Sequence, residues 1–218
     1  MNSFLQKPFR YTYKNICLVL IISNICIFVV FSLLRMMGYG WIRNYFALIP
    51  PLTIRDKMFW QVFTYQFLHA DIWHLIFNML ALFFFGIPLE RKMGSKEFIL
   101  FYLVCGTLCG IAGLAVYYPI SLRTGMPTVL IGASGSIFSV MLAFAVLYPT
   151  AYIYFWGIIP IPAPILILLY AAYELFAAFF IRDNIAHSIH LFGLLWAFLY
   201  IRIRFGIRPA RMWKNLFR

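Results

Sequence analysis

The chain has 218 residues, of which 64% are hydrophobic and only 11% charged, and its mean hydropathy is +0.89. An ordinary soluble domain is about half apolar and about a quarter charged, so a soluble globule is excluded and an integral membrane protein indicated. The formal net charge of +12 would suggest nucleic acid in a soluble protein, but here the basic residues flank apolar runs, where they report topology and no nucleic-acid partner is expected.

Residues 1–14 form a polar, basic tail carrying Lys7, Arg10 and Lys14. The apolar run that follows leads into "FSLLRMMGYGW" without a small-residue cleavage site, which predicts a retained first helix rather than a removed signal peptide. Hydropathy predicts six spans at 15–35, 73–89, 97–118, 133–149, 160–181 and 185–205, each near the ~20 residues a bilayer core requires. Runs this long exclude a barrel. Helices satisfy their own backbone in lipid, so the predicted fold is an all-α bundle of six transmembrane helices over 15–205, with 206–218 as a basic tail. The connection 36–72 is too long for a turn, and its Tyr39, Trp41, Tyr45, Phe46, Trp60 and prolines suit an interfacial loop capping the bundle. The fourth span is short, and "IIPIPAP" ahead of the fifth suits a loop or a first helical turn.

With six spans, one face of the membrane collects Lys7, Arg10, Lys14, Arg91, Lys92, Lys96 and every basic residue from Arg202 onward. The other face has Arg35, Arg43, Arg55, Lys57, Arg123 and Arg182. The positive-inside rule then places both termini in the cytoplasm, in what is expected to be the cell (inner) membrane. Cys17, Cys26, Cys105 and Cys109 all fall in apolar runs without disulfide or zinc-ribbon spacing and are read as packing residues.

Polar side chains inside spans cost several kcal/mol unless paired, so they are functional candidates. The second span has His74 and Asn78, four apart and on one helical face. The fourth opens with Ser134, Ser136 and Ser139, the fifth has Glu174, and the sixth has His187, Ser188 and His190. Each could merely hydrogen-bond neighbouring helices. Together, however, a glycine-flanked serine, a histidine on another helix and a His/Asn pair on a third are the parts of acyl-transfer catalysis. A serine needs an adjacent base, histidine titrates near working pH, and an oxyanion needs placed donors, which His74, Asn78 and the backbone N–H groups at Ser134 could supply. Gly132 and Gly135 would permit a sharp turn and a close approach. No H-E-x-x-H occurs and no acid lies beside the histidines in sequence, so neither a metal nor another cofactor is expected. Glu174 stands alone in its span, which argues against an aspartyl protease and for a Ser–His dyad rather than a triad.

These residues resemble the rhomboid family of intramembrane serine proteases, over about residues 58–205. "HADIWHLIFNMLALFFFGIPLERKMGS" is similar to that family's second-helix signature, "GASG" to its nucleophile motif and "AHSIHLFG" to its sixth-helix pattern. The resemblance implies Ser134 as nucleophile, His190 as base, His74 and Asn78 at the oxyanion, Glu90 in a structural role and His187 as an accessory histidine. It also implies that Phe138 packs on the catalytic histidine and that Gly193 lets the fourth and sixth helices close up. The short fourth helix would begin partway through the bilayer, at the floor of a water-filled cavity open to the non-cytoplasmic side. Two positions depart from the pattern. Trp60-Gln61 stands where many relatives have Trp-Arg, which bears on loop anchoring, and Phe192 replaces a small residue, which bears on helix packing.

The expected function is therefore serine-type intramembrane proteolysis of transmembrane or membrane-anchored proteins, with a small residue before the cut in a locally unstable substrate helix. The alternatives are a silent rhomboid-like protein that binds membrane clients, opposed by the presence of both Ser134 and His190, and a transporter, opposed by the lack of an internal repeat. Neither the oligomeric state nor the substrate is legible.

Overall fold

The computed structural model describes residues 8–155, 157–181 and 186–213. Lys7, Arg182, the start of the sixth predicted span and residues 214–218 of the basic tail lie outside them. The main helices are α1 (Ile16–Met36), α2 (Ile72–Met93), α3 (Ser95–Thr124), α4 (Ser134–Leu147), α5 (Ala163–Phe180) and α6 (His187–Arg204). Among the described residues, α1, α2, α3 and α5 are long and apolar enough to cross a membrane. The other two fall outside that set, α4 because it is short, as the sequence led one to expect. α4 has only 14 residues, and α6 opens with His187 and His190 and closes on Arg202 and Arg204.

α4 is the central element, buried almost from end to end, and α6 packs against α3, α4 and α5. α1 is peripheral: it buries Cys17, Leu20 and Asn24 but leaves Val19, Ile22, Val29 and Leu33 exposed, an apolar face suited to lipid. Its first turn has no side-chain cap from Asn15. Glu90 supplies one instead, accepting from the Ile16 and Cys17 N–H groups at 2.8 and 2.9 Å and from the Ser95 hydroxyl. A carboxylate at a helix N-terminus satisfies free donors and complements the dipole, so Glu90 ties α1 to the end of α2.

Within α2 the stretch Leu82–Gly86 is a π-helical turn. Pro88 follows it, and a proline in a helix has no N–H and crowds the carbonyl four residues back; the wider turn relieves that crowding. The Cys17 thiol donates to the Leu82 carbonyl at 3.3 Å. Cys17, Cys105 and Cys109 are buried packing residues, whereas Cys26 is exposed on α1.

Between α4 and α5 the structure corrects the expected loop. Tyr152–Phe155 (β1) and Ile159–Pro162 (β2) form an antiparallel hairpin pairing Tyr152 with Pro162 and Phe155 with Ile159. Alternating prolines are tolerated because a two-stranded ribbon is all edge. The helix accordingly begins at Ala163. The basic tail also gains structure: after the short helix Pro209–Met212, the Trp213 indole donates to the Ala145 carbonyl of α4 at 3.0 Å. On the same side Arg204 makes a two-pronged contact with the buried Glu97 of α3, at 2.8 and 3.0 Å, and Tyr200 adds a third bond at 2.6 Å.

The long first connection is a chain of short helical turns, Gly40–Ile42, Arg43–Phe46, Pro50–Arg55, Gln61–Thr64 and Tyr65–Phe67. Gln61 is its hub. Fully buried, it accepts from the Ile49 N–H at 3.1 Å and the Thr53 hydroxyl at 2.7 Å and donates to the Asn44 carbonyl at 2.8 Å. Trp60 and Thr64 add bonds to the Tyr45 and Phe46 carbonyls, both at 2.7 Å. The amide at this position thus ties three points of the loop together. Replacing it in Gln61→Leu leaves buried donors and acceptors unmatched, each costing about 1–3 kcal/mol. Thermal unfolding in detergent is expected to show a clear loss of stability; an unchanged midpoint would remove Gln61 as the anchor.

Candidate active site

The first connection also holds the stretch that leads into α4. Leu48 and Leu130 exchange backbone hydrogen bonds at 3.0 and 2.9 Å, and the Gly132 N–H donates to the Tyr65 carbonyl at 3.0 Å. Tyr65 is in turn fixed by its hydroxyl, which donates to the Gly106 carbonyl of α3 at 2.8 Å. Gly132 has φ +125°, and a Cβ there would sit 2.7 Å from the His74 ring. Only glycine fits both the backbone and the space.

Ser134 is the first residue of α4, whose N-terminus has no side-chain cap. The first intrahelical bond from this end is Ile137 N–H to the Ala133 carbonyl, so the N–H groups of Ser134, Gly135 and Ser136 have no acceptor inside the helix. They carry the positive end of the helix dipole.

α6 approaches α4 closely enough for its base to reach this serine. A Cβ on Gly193 would collide with the Gly135 carbonyl, and the Ser139 hydroxyl reaches the Gly193 carbonyl at 2.7 Å. Ser136 donates to the buried Gln66 at 3.1 Å. Ser136 and Ser139 are thus packing hydroxyls. Phe192 packs against the cluster of Leu48, Tyr65, Cys109, Leu130 and Ile189. His190 Nε2 lies 2.9 Å from Ser134 Oγ, and the Phe138 ring stacks on the imidazole with centroids 4.3 Å apart and planes 6° from parallel.

On α2, Asp71 caps the helix by accepting from the His74 N–H at 2.9 Å, and the Asn78 amide donates to the His74 carbonyl at 2.8 Å. The Ala70 N–H points at His74 Nδ1 over 3.4 Å, which assigns the ring proton to Nε2, the nitrogen beside Gly132. The structure thus brings Ser134, His190, His74, Gly132, Gly135, Phe138 and Gly193 together, with Asn78 one turn below His74. Ser134 and His190 remain partly exposed amid buried neighbours.

One expectation is overturned. Glu174 is not isolated: its Oε2 lies 2.6 Å from His187 Nδ1 and its Oε1 3.0 Å from His190 Nδ1, with all three side chains at most 12% exposed. Helix spacing hid this, because the acid arrives from α5 and the histidines from α6. The three residues offer atoms within 4.8 Å of one another, close enough to consider a metal ion. Ligands about 2.0–2.1 Å from a tetrahedral zinc ion stand about 3.3 Å apart. The 2.6 Å separation of Glu174 and His187 is shorter and is that of a hydrogen bond.

His69, just ahead of α2, is buried and edge-on to His74 at 5.1 Å, and neither ring nitrogen has an aligned hydrogen-bond partner. Burial first, and the His74 ring second, push its imidazole down from 6.5 to about 3, against smaller opposing effects of the Phe67 carbonyl and Asp71. Between those values the unfolded chain binds a proton that the folded chain refuses. Stability is therefore full above the ordinary pKa and falls below it by about 1.4 kcal/mol per pH unit. In His69→Phe the drop in unfolding temperature from about pH 7.5 to about pH 5 should be smaller than in wild type; equal drops would acquit His69.

The Rhomboid domain family model matches residues 56–207. The chain belongs to the rhomboid family. Among its relatives, the mitochondrial RHOMBOID-like protein 12 of Arabidopsis thaliana is 28% identical over 209 residues, covering 88% of this chain and 60% of the relative. YdcA of Bacillus subtilis is 32% identical over 150 residues, covering 68% of each chain. GluP of the same organism, named a rhomboid protease, is 40% identical over 85 residues, which is 39% of this chain and 15% of GluP. This rhomboid chain thus spans only part of the length of these relatives, and it is a multi-pass integral membrane protein.

Proposed function

We propose that this rhomboid protein is a serine endopeptidase that cuts membrane-anchored proteins in or near their transmembrane segments. The 2.9 Å contact between Ser134 Oγ and His190 Nε2 carries that reading. Ser134 Oγ attacks the scissile carbonyl as His190 Nε2 takes its proton, and His190 then returns the proton to the leaving amine. The stacked Phe138 ring keeps the imidazole plane aimed at the serine. Negative charge on the tetrahedral oxygen would fall beside the free N–H groups of the first turn of α4, with the His74 Nε2–H and the Asn78 amide as further donors. Water must then reach Ser134 to release the acyl-enzyme, which the partial exposure of Ser134 and His190 allows.

In this reading α4 starts below the membrane surface, since its N-terminus is covered by the first connection. The distribution of Lys and Arg supports cytoplasmic termini and a site open to the opposite side. The test is covalent labelling with a fluorophosphonate, which needs an activated serine. Wild type should label at Ser134, and His190→Ala should not label. Labelling that is independent of His190 would refute the base assignment.

A further inference from the structure

We infer that Glu174 is a positioning residue for His190, making the site a Ser–His–Glu relay in which α5 holds the base. The inference rests on the protease reading above. A carboxylate inside a membrane bundle is costly unless paired, and this one is 6% exposed and meets two imidazoles. His187 takes Oε2 at 2.6 Å and so fixes the plane of the carboxylate. Oε1 is left 3.0 Å from His190 Nδ1. To accept the serine proton, His190 must present an unprotonated Nε2, so its own proton must sit on Nδ1. The acceptor facing that proton is Glu174 Oε1. The contact is short but out of line with the ring N–H, and such bonds commonly tighten only when substrate is bound. A turn of the imidazole in its own plane, sliding on Phe138, is what would align it.

The proton balance is simple. The Ser134 hydroxyl proton moves to His190 Nε2, producing an imidazolium beside an unchanged carboxylate, and then passes to the leaving nitrogen. Glu174 neither gains nor loses a proton; its charge favours the cation and its oxygen selects the tautomer. The titratable groups around the pair are His187 on α6, Tyr170 and Tyr173 on α5, and His74 on α2, with Ser134 on α4. Among these described groups Glu174 is the one acid, so its removal acts on His190 with a predictable sign.

Wild type, Glu174→Gln, Glu174→Asp and Ser134→Ala are compared in proteoliposomes, cleaving a single-pass transmembrane substrate from about pH 5 to about pH 9. A carboxylate facing an imidazole favours the protonated ring over the neutral one. Glu174→Gln should lower kcat on the order of 100- to 1000-fold and move the acid limb of kcat/KM to lower pH. Glu174→Asp keeps the charge and should hold the limb near wild type at an intermediate kcat. The limb's position does not depend on how much protein is folded, so partial misfolding cannot imitate the shift. An unshifted limb in Glu174→Gln, with Ser134→Ala inactive, overturns the role of Glu174 and leaves the protease reading standing. Cleavage persisting in Ser134→Ala would instead overturn the protease reading itself.

Discussion

Ser134→Ala is expected to lower kcat for a transmembrane substrate by about 10⁴-fold or more, to the background set by binding and oxyanion donors. His190→Ala should reach the same floor, and the double variant should fall no further, because nucleophile and base act as one unit. The reason is geometric. One hydroxyl on α4 and one ring nitrogen on α6 meet at 2.9 Å, and among the described residues no other serine hydroxyl is hydrogen-bonded to His190. Ser136 and Ser139, nearby in sequence, are turned to Gln66 and to the Gly193 carbonyl. Stability should barely change in Ser134→Ala, since a lost hydrogen bond of this kind is worth about 0.5–1.5 kcal/mol. A variant that folds and still cleaves at an appreciable rate would refute the nucleophile. Turnover by the double variant well below either single one would mean that the two residues contribute separately.

Gly193→Ala should be nearly as damaging for a different reason. It touches no reacting atom, yet its added methyl would enter the space of the Gly135 carbonyl, and backbone cannot step aside as a side chain can. α4 and α6 must separate, and Ser134 and His190 sit on the separating faces. A displacement near 1 Å at reacting atoms costs about 100-fold in rate, and overpacking of this kind costs about 1–3 kcal/mol in stability. Cleavage rate and unfolding temperature should therefore fall together, with the Ser139–Gly193 bond lost as well. Loss of stability with full activity would show that the helix contact does not set the spacing of the pair.

Much of this site can be read along the chain because lipid makes polar residues conspicuous. Ser134, His74, Asn78 and His190 stand in runs where nearly every neighbour is apolar, and their retention there demands partners. Glu174 was equally conspicuous, but its partners belong to another helix. Nothing in a one-dimensional pattern says that the fifth helix turns this residue toward His187 and His190. Gln61 shows the converse. By residue type it departs from the Trp-Arg that the family resemblance leads one to expect, yet its amide satisfies three separate groups of the folded connection. Glu97 gave no signal of its own, because its role depends on Arg204 from the far end of the chain.

By itself the sequence determined that the protein lives in a membrane, that it is helical, and which polar side chains stand inside its apolar runs. Those properties follow from composition and local spacing, which the chain carries before it folds. The tertiary structure decided how far α4 extends, that Pro160 and Pro162 lie in a hairpin rather than a helix, and how the helices meet. It also decided that the stretch "LIGASGS" is held from outside, by Leu48, Tyr65 and the His74 ring. Such contacts join residues far apart in the chain, so their energies depend on packing distances that no local pattern encodes.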